Sequence, residues 1–364
     1  MSAEPLSGAW GGAAGSSPVA AARRRSVARL SPALWSLAGL VALLGALALG
    51  AAIGETAIPL DTVAKTLANR LFGAAYPIDR IDEGIVWNYR LSRAIVAGAC
   101  GASLALSGAI LQSLLRNALA DPYILGISAG ASTGAVSVAI VGIGAGAVTM
   151  SLGAFAGALA AFGFVSALAL RAGSGAGAII LAGIAGSQLF NALTSFVITK
   201  SATAEQARGI MFWLLGNLSG VRWPDVSLAV PVALAGFLIC LLHARALDAF
   251  TFGAQSAASL GVPVRRVRAV LIGTAALMTA VMVSIVGSIG FVGLVVPHAA
   301  RLLFGVRHTV LLPACAVIGA IFMIAADVLS RNLVPGQVLP IGVITALVGA
   351  PAFALILMRR RVGT

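Results

Sequence analysis

Residues able to do chemistry are sparse in this 364-residue chain. The three histidines, His243, His298 and His308, lack the i, i+4 spacing that seats a metal ion on one helix face. Cys100, Cys240 and Cys315 stand alone in apolar segments, with no CxxC or Cys/His cluster to suggest a zinc site or a disulfide framework. No Ser/His/Asp grouping is visible along the chain, and there is no GxxxxGK[ST] loop to cradle phosphates. Two glycine-rich stretches, Gly142-Ile143-Gly144-Ala145-Gly146 and Gly173-Ser174-Gly175-Ala176-Gly177, do not follow a strand, as a phosphate-binding turn would. What remains is a thin scatter of polar groups inside apolar runs: Gln112, Gln188, Asn191, Thr194 and the single acid Asp327. Gln188 and Asn191 share a helix face at i, i+3, and Thr194 is expected to extend it. Such groups either hydrogen-bond a neighbouring helix or line an uncharged path. Asp327 precedes Arg331 by four residues, a spacing that suits a local ion pair. These residue types point to passage of a solute rather than to bond making.

The elements that must position them follow from composition. Hydrophobic residues make up 60% of the chain and charged residues only 10%, against about 25% charged in soluble domains. This excludes a soluble enzyme, a disordered chain and a disulfide-rich secreted domain, and predicts an all-α polytopic membrane protein. The 43 glycines suit close helix–helix packing in lipid. A helix needs roughly 20 apolar residues to cross the hydrocarbon core. Ten such spans are expected, at 33–54, 90–114, 122–142, 147–170, 177–199, 226–247, 267–285, 287–304, 310–330 and 339–358. The eighth is interrupted by glycines and by Pro297-His298, so a short or irregular helix is expected there.

The net charge of +13 sits in short loops between spans, the pattern of cytoplasmic loops rather than of a nucleic-acid binder. With ten spans and an inner N-terminus, fifteen arginines face three acids inside, and nine bases face eight acids outside, giving +12 and +1 of that total. The positive-inside rule therefore places both termini in the cytoplasm. Residues 1–32 read as a disordered cytoplasmic tail. The apolar run from Leu34 to Ile53 is too long for a cleaved signal core of about 7–15 residues.

Three further stretches are neither plain loop nor span. Residues 55–89 form a longer, partly amphipathic outer connection. Residues 203–225, with Glu205, Arg208, Trp213 and Trp223, read as a short helix at the outer interface, where tryptophan is favoured. On the inner side, Thr251 to Val262 reads as a short amphipathic helix followed by Arg265, Arg266 and Arg268. A membrane interior so poor in carboxylates does not suit a proton- or sodium-coupled carrier. The energy for transport is expected from another subunit.

Four ordered blocks then resemble a known family, the permease subunit of type II ABC importers for ferric siderophores, heme and cobalamin. They are Arg90-Leu91-Ser92-Arg93 through Arg116-Asn117-Ala118-Leu119-Ala120-Asp121-Pro122; Trp213-Leu214-Leu215-Gly216-Asn217-Leu218; Gly290-Phe291-Val292-Gly293-Leu294-Val295-Val296-Pro297-His298 with Arg301 and Arg307-His308; and Leu339-Pro340-Ile341-Gly342 through Gly349-Ala350-Pro351. Ser92 and Ala118 stand where the family usually has proline, and its usual glutamate before Leu339-Pro340 is missing.

The resemblance implies a homodimer with a central translocation path, two ATP-binding cassette ATPases on the cytoplasmic side and a periplasmic substrate-binding protein, in a bacterial inner membrane. ATP and Mg would be used by the ATPase, with no cofactor on this non-catalytic chain. The resemblance also implies roles for residues. Arg90, Arg93 and Arg331 would meet glutamates of the binding protein, and Asn117, Leu119, Ala176 and Gly177 would form a cytoplasmic gate. Gln112, Gln188, Asn191 and Thr194 are the pore-lining candidates. Segment 251–262 would be the coupling helix, with Gln255, Ser259, Leu260, Gly261, Arg265 and Arg266 toward the ATPase. An iron chelate is the expected cargo, heme being the first guess and cobalamin the second.

Overall fold

In a computed structural model, residues 32–142, 148–173 and 175–361 are described. The N-terminal tail and most of the first glycine-rich stretch lie outside them. By internal contacts the chain divides at Val41/Ala42. The described part of the first unit, 32–41, is the start of helix α1 (Pro32–Ala52).

Among the described residues the regular elements of the second unit are all helices, apart from an isolated bridge between Val334 and Gln337. After α1 come α2 (Leu60–Phe72) and α3 (Arg80–Gly84). A π-helical turn over Ile85–Leu91 then leads without a break into α4 (Ser92–Leu114). A 3-10 turn (Pro122–Leu125) precedes α5 (Ile127–Val141), α6 (Met150–Arg171), α7 (Ala176–Ser201) and α8 (Ala204–Leu214). The rest of the chain forms α9 (Trp223–Leu242), α10 (Ala244–Phe250), α11 (Ala254–Ser259), α12 (Val264–Val286), α13 (Val292–Phe304), α14 (His308–Asn332) and α15 (Ile341–Arg361).

Six helical stretches among the described residues are long and apolar enough to cross a membrane: 80–114, α6, α7, α9, α12 and α14. Four shorter apolar helices fall at the other expected positions, in α1, α5, α13 and α15. The interrupted eighth span is a 13-residue helix, entered through Phe291 at φ 69°. The stretch 203–225 holds the helix α8, closed at its start by a capping box between Thr203 and Gln206, which satisfies otherwise orphan N–H groups.

α4 is the axis of the unit, packed against α9, α12, α13 and α14. Its hydrophobic core includes Leu104, Leu106 and Ile110 from α4, Leu271, Met278 and Met282 from α12 and Met323 from α14. A second core joins α5, α6 and α7. Small residues allow this packing. A Cβ on Gly108 would lie 2.0 Å from the Gly293 carbonyl oxygen, and one on Gly134 the same distance from that of Gly153. Without a side chain in the way, backbones meet directly, and dispersion contacts replace a hydrophobic drive that lipid does not supply.

Candidate functional site

Two buried polar clusters of the second unit lie at the ends of α4. At its Arg93 end, Asp327 of α14 is fully buried. Arg93 Nε donates to Asp327 Oδ1 at 2.6 Å, while its two terminal nitrogens reach the hydroxyls of Ser219 and Ser330 at 3.2 and 3.4 Å. Arg331 Nη2 approaches Asp327 Oδ2 at 2.8 Å as an ionic contact without hydrogen-bond alignment. The same nitrogen donates to the Gly50 carbonyl at 3.1 Å. Arg90, in the π-helical turn, donates to the carbonyls of Ala52 and Thr56. Burying a charge is costly unless it is paired and hydrogen-bonded, and these contacts meet that cost. The i, i+4 pair expected from sequence forms. The three arginines do not present open guanidinium groups: they are 4%, 8% and 5% exposed and brace α1, α4 and α14 within the chain.

At the other end, Gln112 Nε2 donates to the Gly293 carbonyl at 3.0 Å, and Gln112 Oε1 accepts from Arg301 at 2.5 Å. The next residue, Ser113, meets His308 Nε2 at 2.7 Å. His308 Nδ1 lies 2.7 Å from Asp248 Oδ1, which also accepts the His308 backbone N–H at 2.9 Å. Sequence reading misses this Asp/His/Ser chain because its members lie 60 and 195 residues apart and no local spacing signals them. Ser113 is buried in the last turn of α4, and its hydroxyl also reaches the Ala109 carbonyl at 2.8 Å.

The loop after α4 carries the first pair of expected gate residues. Arg116 takes φ 49°, and Asn117 N–H bonds back to the Gln112 carbonyl at 3.2 Å. Asn117 Oδ1 accepts from Leu119 N–H at 2.9 Å, and the Leu119 side chain is exposed. Asp121 Oδ1 caps the 3-10 turn through Tyr123 N–H at 2.9 Å, and burial pushes its carboxyl up to about 6. The Tyr123 hydroxyl bridges the Ile289 N–H and carbonyl at 2.7 and 3.0 Å, pinning the approach to α13. Ala176 and Gly177 open α7 on a separate segment.

The expected coupling segment holds α11, bounded by Gly253 at φ 104° and Gly261 at φ 81°. Gly261 N–H bonds to the Ala258 carbonyl and Val262 N–H to the Ala257 carbonyl, at 2.9 and 3.0 Å. This closure needs a left-handed residue after the helix, which glycine adopts at little cost. Ala257 faces inward, while Gln255, Ser259, Leu260, Gly261, Arg265 and Arg266 are all exposed. Phe252, absent from the sequence-based set, is more exposed than Leu260.

The four pore candidates do not form one surface. Gln188 and Asn191 are exposed on α7. Thr194 is buried and bonded to Thr133 Oγ1 at 2.8 Å. Three residues beyond Asn191 and six beyond Gln188, it lies about 120° round the helix from the latter, so it faces α5. Gln112 is likewise buried and spends both amide ends inside the chain.

Comparison with known proteins gives this geometry its context. The pattern described as the FecCD transport family matches residues 40–359. The cobalamin import system permease protein BtuC of Halobacterium salinarum is 38% identical, over 90% of this chain and 96% of that protein. The Fe(3+)-citrate import system permease protein YfmE of Bacillus subtilis is 36% identical, over 89% and 94%. Among solved structures, a metal-chelate type ABC transporter in an inward-facing conformation superposes with a TM-score of 0.77 at 29% identity, covering 90% of this chain and all of that one. With its multi-pass helices and a family match over nearly its whole length, the chain belongs to the FecCD transport family of ABC transporter permeases.

Proposed function

We propose that this chain is the membrane subunit of an ATP-driven importer, working as a homodimer of ten-span subunits with two cytoplasmic ATPases and a substrate-binding protein on the outer side. The observation that carries the reading is the end-to-end similarity to import permeases. The exposed α11 segment supports it, because Phe252 and Leu260 offer apolar anchors beside Arg265 and Arg266. In this reading both termini are cytoplasmic, the Arg93 end of α4 faces the binding protein, and the Ser113 end faces the ATPase. Docking onto Arg90, Arg93 and Arg331 would exchange some of their internal acceptors for carboxylates of the binding protein. Asn117, Leu119, Ala176 and Gly177 would narrow the path on the inner side, and exposed Gln188 and Asn191 would face it.

The cargo is an iron chelate or cobalamin. Relatives named for cobalamin and ferric citrate make these the first two to test, with heme third. The test is uptake of each cargo into proteoliposomes containing the permease, its ATPase and its binding protein. ATP-dependent accumulation of one of the three is expected. Accumulation driven by a proton or sodium gradient without ATP would overturn the reading in favour of an ion-coupled carrier.

A further inference from the structure

The Asp248–His308–Ser113 chain joins three elements that differ in role under the proposed function. Asp248 is in α10, which leads through Thr251 and Phe252 into α11. His308 opens α14 and is 1% exposed. Ser113 lies in the last turn of α4, one residue after Gln112, whose carbonyl holds Asn117. An ionised carboxylate only accepts, so the proton of a neutral His308 belongs on Nδ1, facing Asp248. Nε2 is then left to accept from the Ser113 hydroxyl. That hydroxyl has a second acceptor in place, the Ala109 carbonyl at 2.8 Å. It can therefore turn from His308 to its own helix and keep an acceptor, so that release leaves only the neutral Nε2 of His308 without its donor. Release therefore strands no charge, unlike the opening of a buried ion pair. A second contact follows the same route: Arg116, in the loop after α4, brings Nη1 to 3.5 Å from where a Cβ on Gly253 would stand.

We propose that Asp248, His308 and Ser113 form a releasable latch that carries movement of the ATPase-facing segment 251–262, through α10, to the end of α4 and the loop 115–121. These are positioning residues: they touch neither cargo nor nucleotide. The inference rests on the importer reading above and adds to it a route between energy source and gate. A latch formed in one nucleotide state and released in the other biases the loop through an element with two arrangements, which is the physical requirement for coupling between sites.

The test uses the whole complex in proteoliposomes, with ATPase stoichiometry, ATP hydrolysis and cargo uptake measured on the same preparation. Asp248→Ala and His308→Ala should keep the ATPase bound and hydrolysing, while uptake per ATP falls about tenfold, within the usual range of coupling energies. Asp248→Asn, which keeps an acceptor for His308, should restore most of it. In an Asn117→Cys background, the dependence of crosslinking between the two copies on nucleotide should vanish with Asp248→Ala and return with Asp248→Asn. Should the alanine variants fail to assemble, Ser113→Ala breaks the same link with minimal loss of packing and carries the same expectations. Unchanged uptake per ATP would overturn the latch. So would hydrolysis and uptake falling in proportion, the mark of a structural role. Absence of ATP-driven uptake in the unmodified complex would instead overturn the importer reading, and the latch with it.

Discussion

The two ends of α4 are held by opposite kinds of chemistry. At the Arg93 end, a single buried carboxylate is shared by two arginines, and their remaining donors end on hydroxyls and carbonyls. At the Ser113 end, a serine and a glutamine tie the helix to α13 and α14 through hydrogen bonds, one of them with an alternative acceptor. Opening the first would strand buried charge, whereas releasing Ser113 from His308 turns a hydroxyl to its own helix and leaves one neutral ring nitrogen without its donor. One helix is thus fixed at one end and adjustable at the other, an arrangement that suits a strut whose movement must be confined to one side of a membrane.

Removing the shared carboxylate is the most direct way to break this comparison. Asp327→Ala leaves Arg93 and Arg331 buried without their counter-charge, and losing one partner of a buried pair costs about 3–5 kcal/mol. Thermal unfolding in detergent should show a larger loss for this variant than for any substitution at the Ser113 end, with much of the protein failing to reach the membrane. Asp327→Asn, which keeps hydrogen-bond acceptance, should be milder. If Asp327→Ala is no less stable than His308→Ala, the two ends do not differ in the way their chemistry implies.

Between the ends, the register of α4 depends on a backbone contact. Gly108→Ala places a methyl group where the Gly293 carbonyl lies 2.0 Å away, so α4 and α13 must separate. Overpacking of this kind costs about 1–3 kcal/mol, more than the roughly 1 kcal/mol that alanine gains over glycine in a helix. Because Gln112 bonds to Gly293, the separation should also weaken the Ser113 end. The variant should lose stability and uptake together, whereas a variant of the latch loses uptake alone.

Much of the scaffold behind this comparison is legible in the sequence, and the reasons are local. Runs of about 20 apolar residues announce their own helices, and glycine breaks plus Pro297 announce that α13 is short. Gly261 marks the end of α11 because the signal, a left-handed residue after a helix, lies in one residue. Asp327 and Arg331 are legible as a pair because four residues make one helical turn. Arg93 is not legible as the third member, being 234 residues away from Asp327; nor are Asp248 and His308 as partners of Ser113. Those pairings exist only once α4, α10 and α14 have packed. Thr194 departs from its expected face because six residues carry it beyond the arc that three- and four-residue spacings keep together.

The adjustable end also carries a titration that sharpens the comparison. Burial raises the Asp121 carboxyl from 3.8 to about 6, so the folded chain holds this proton more tightly than the unfolded chain does. Stability from this group is therefore full below about pH 4, declines as the pH rises from 4 to 6, and is flat above. A change of about 1–2 kcal/mol is expected across that window for a partly exposed group. Asp121→Asn keeps the cap on Tyr123 and should flatten the slope in unfolding measurements made between pH 4 and 7. An unchanged slope would assign it to other groups and leave Asp121 a simple cap.

The smallest expected effect lies farthest from α4, at the exposed end of the same route. Gly261 holds φ 81° with open space around its Cα, so Gly261→Ala meets no neighbour and pays only for a left-handed backbone. That cost is about 1 kcal/mol, and it falls on a six-residue helix rather than on the core. Global unfolding of the protein should hardly move, because α11 can fray without disturbing α4. The consequence should appear instead in assembly: a frayed α11 no longer presents Leu260 in one place, so the ATPase should bind several-fold more weakly while the isolated permease remains as stable as before. Titration of the ATPase onto the detergent-solubilised permease measures this directly. Equal affinity for the two proteins would mean that the ATPase does not require the closed end of α11, and would move the start of the route from Leu260 to Phe252 at the other end of the helix.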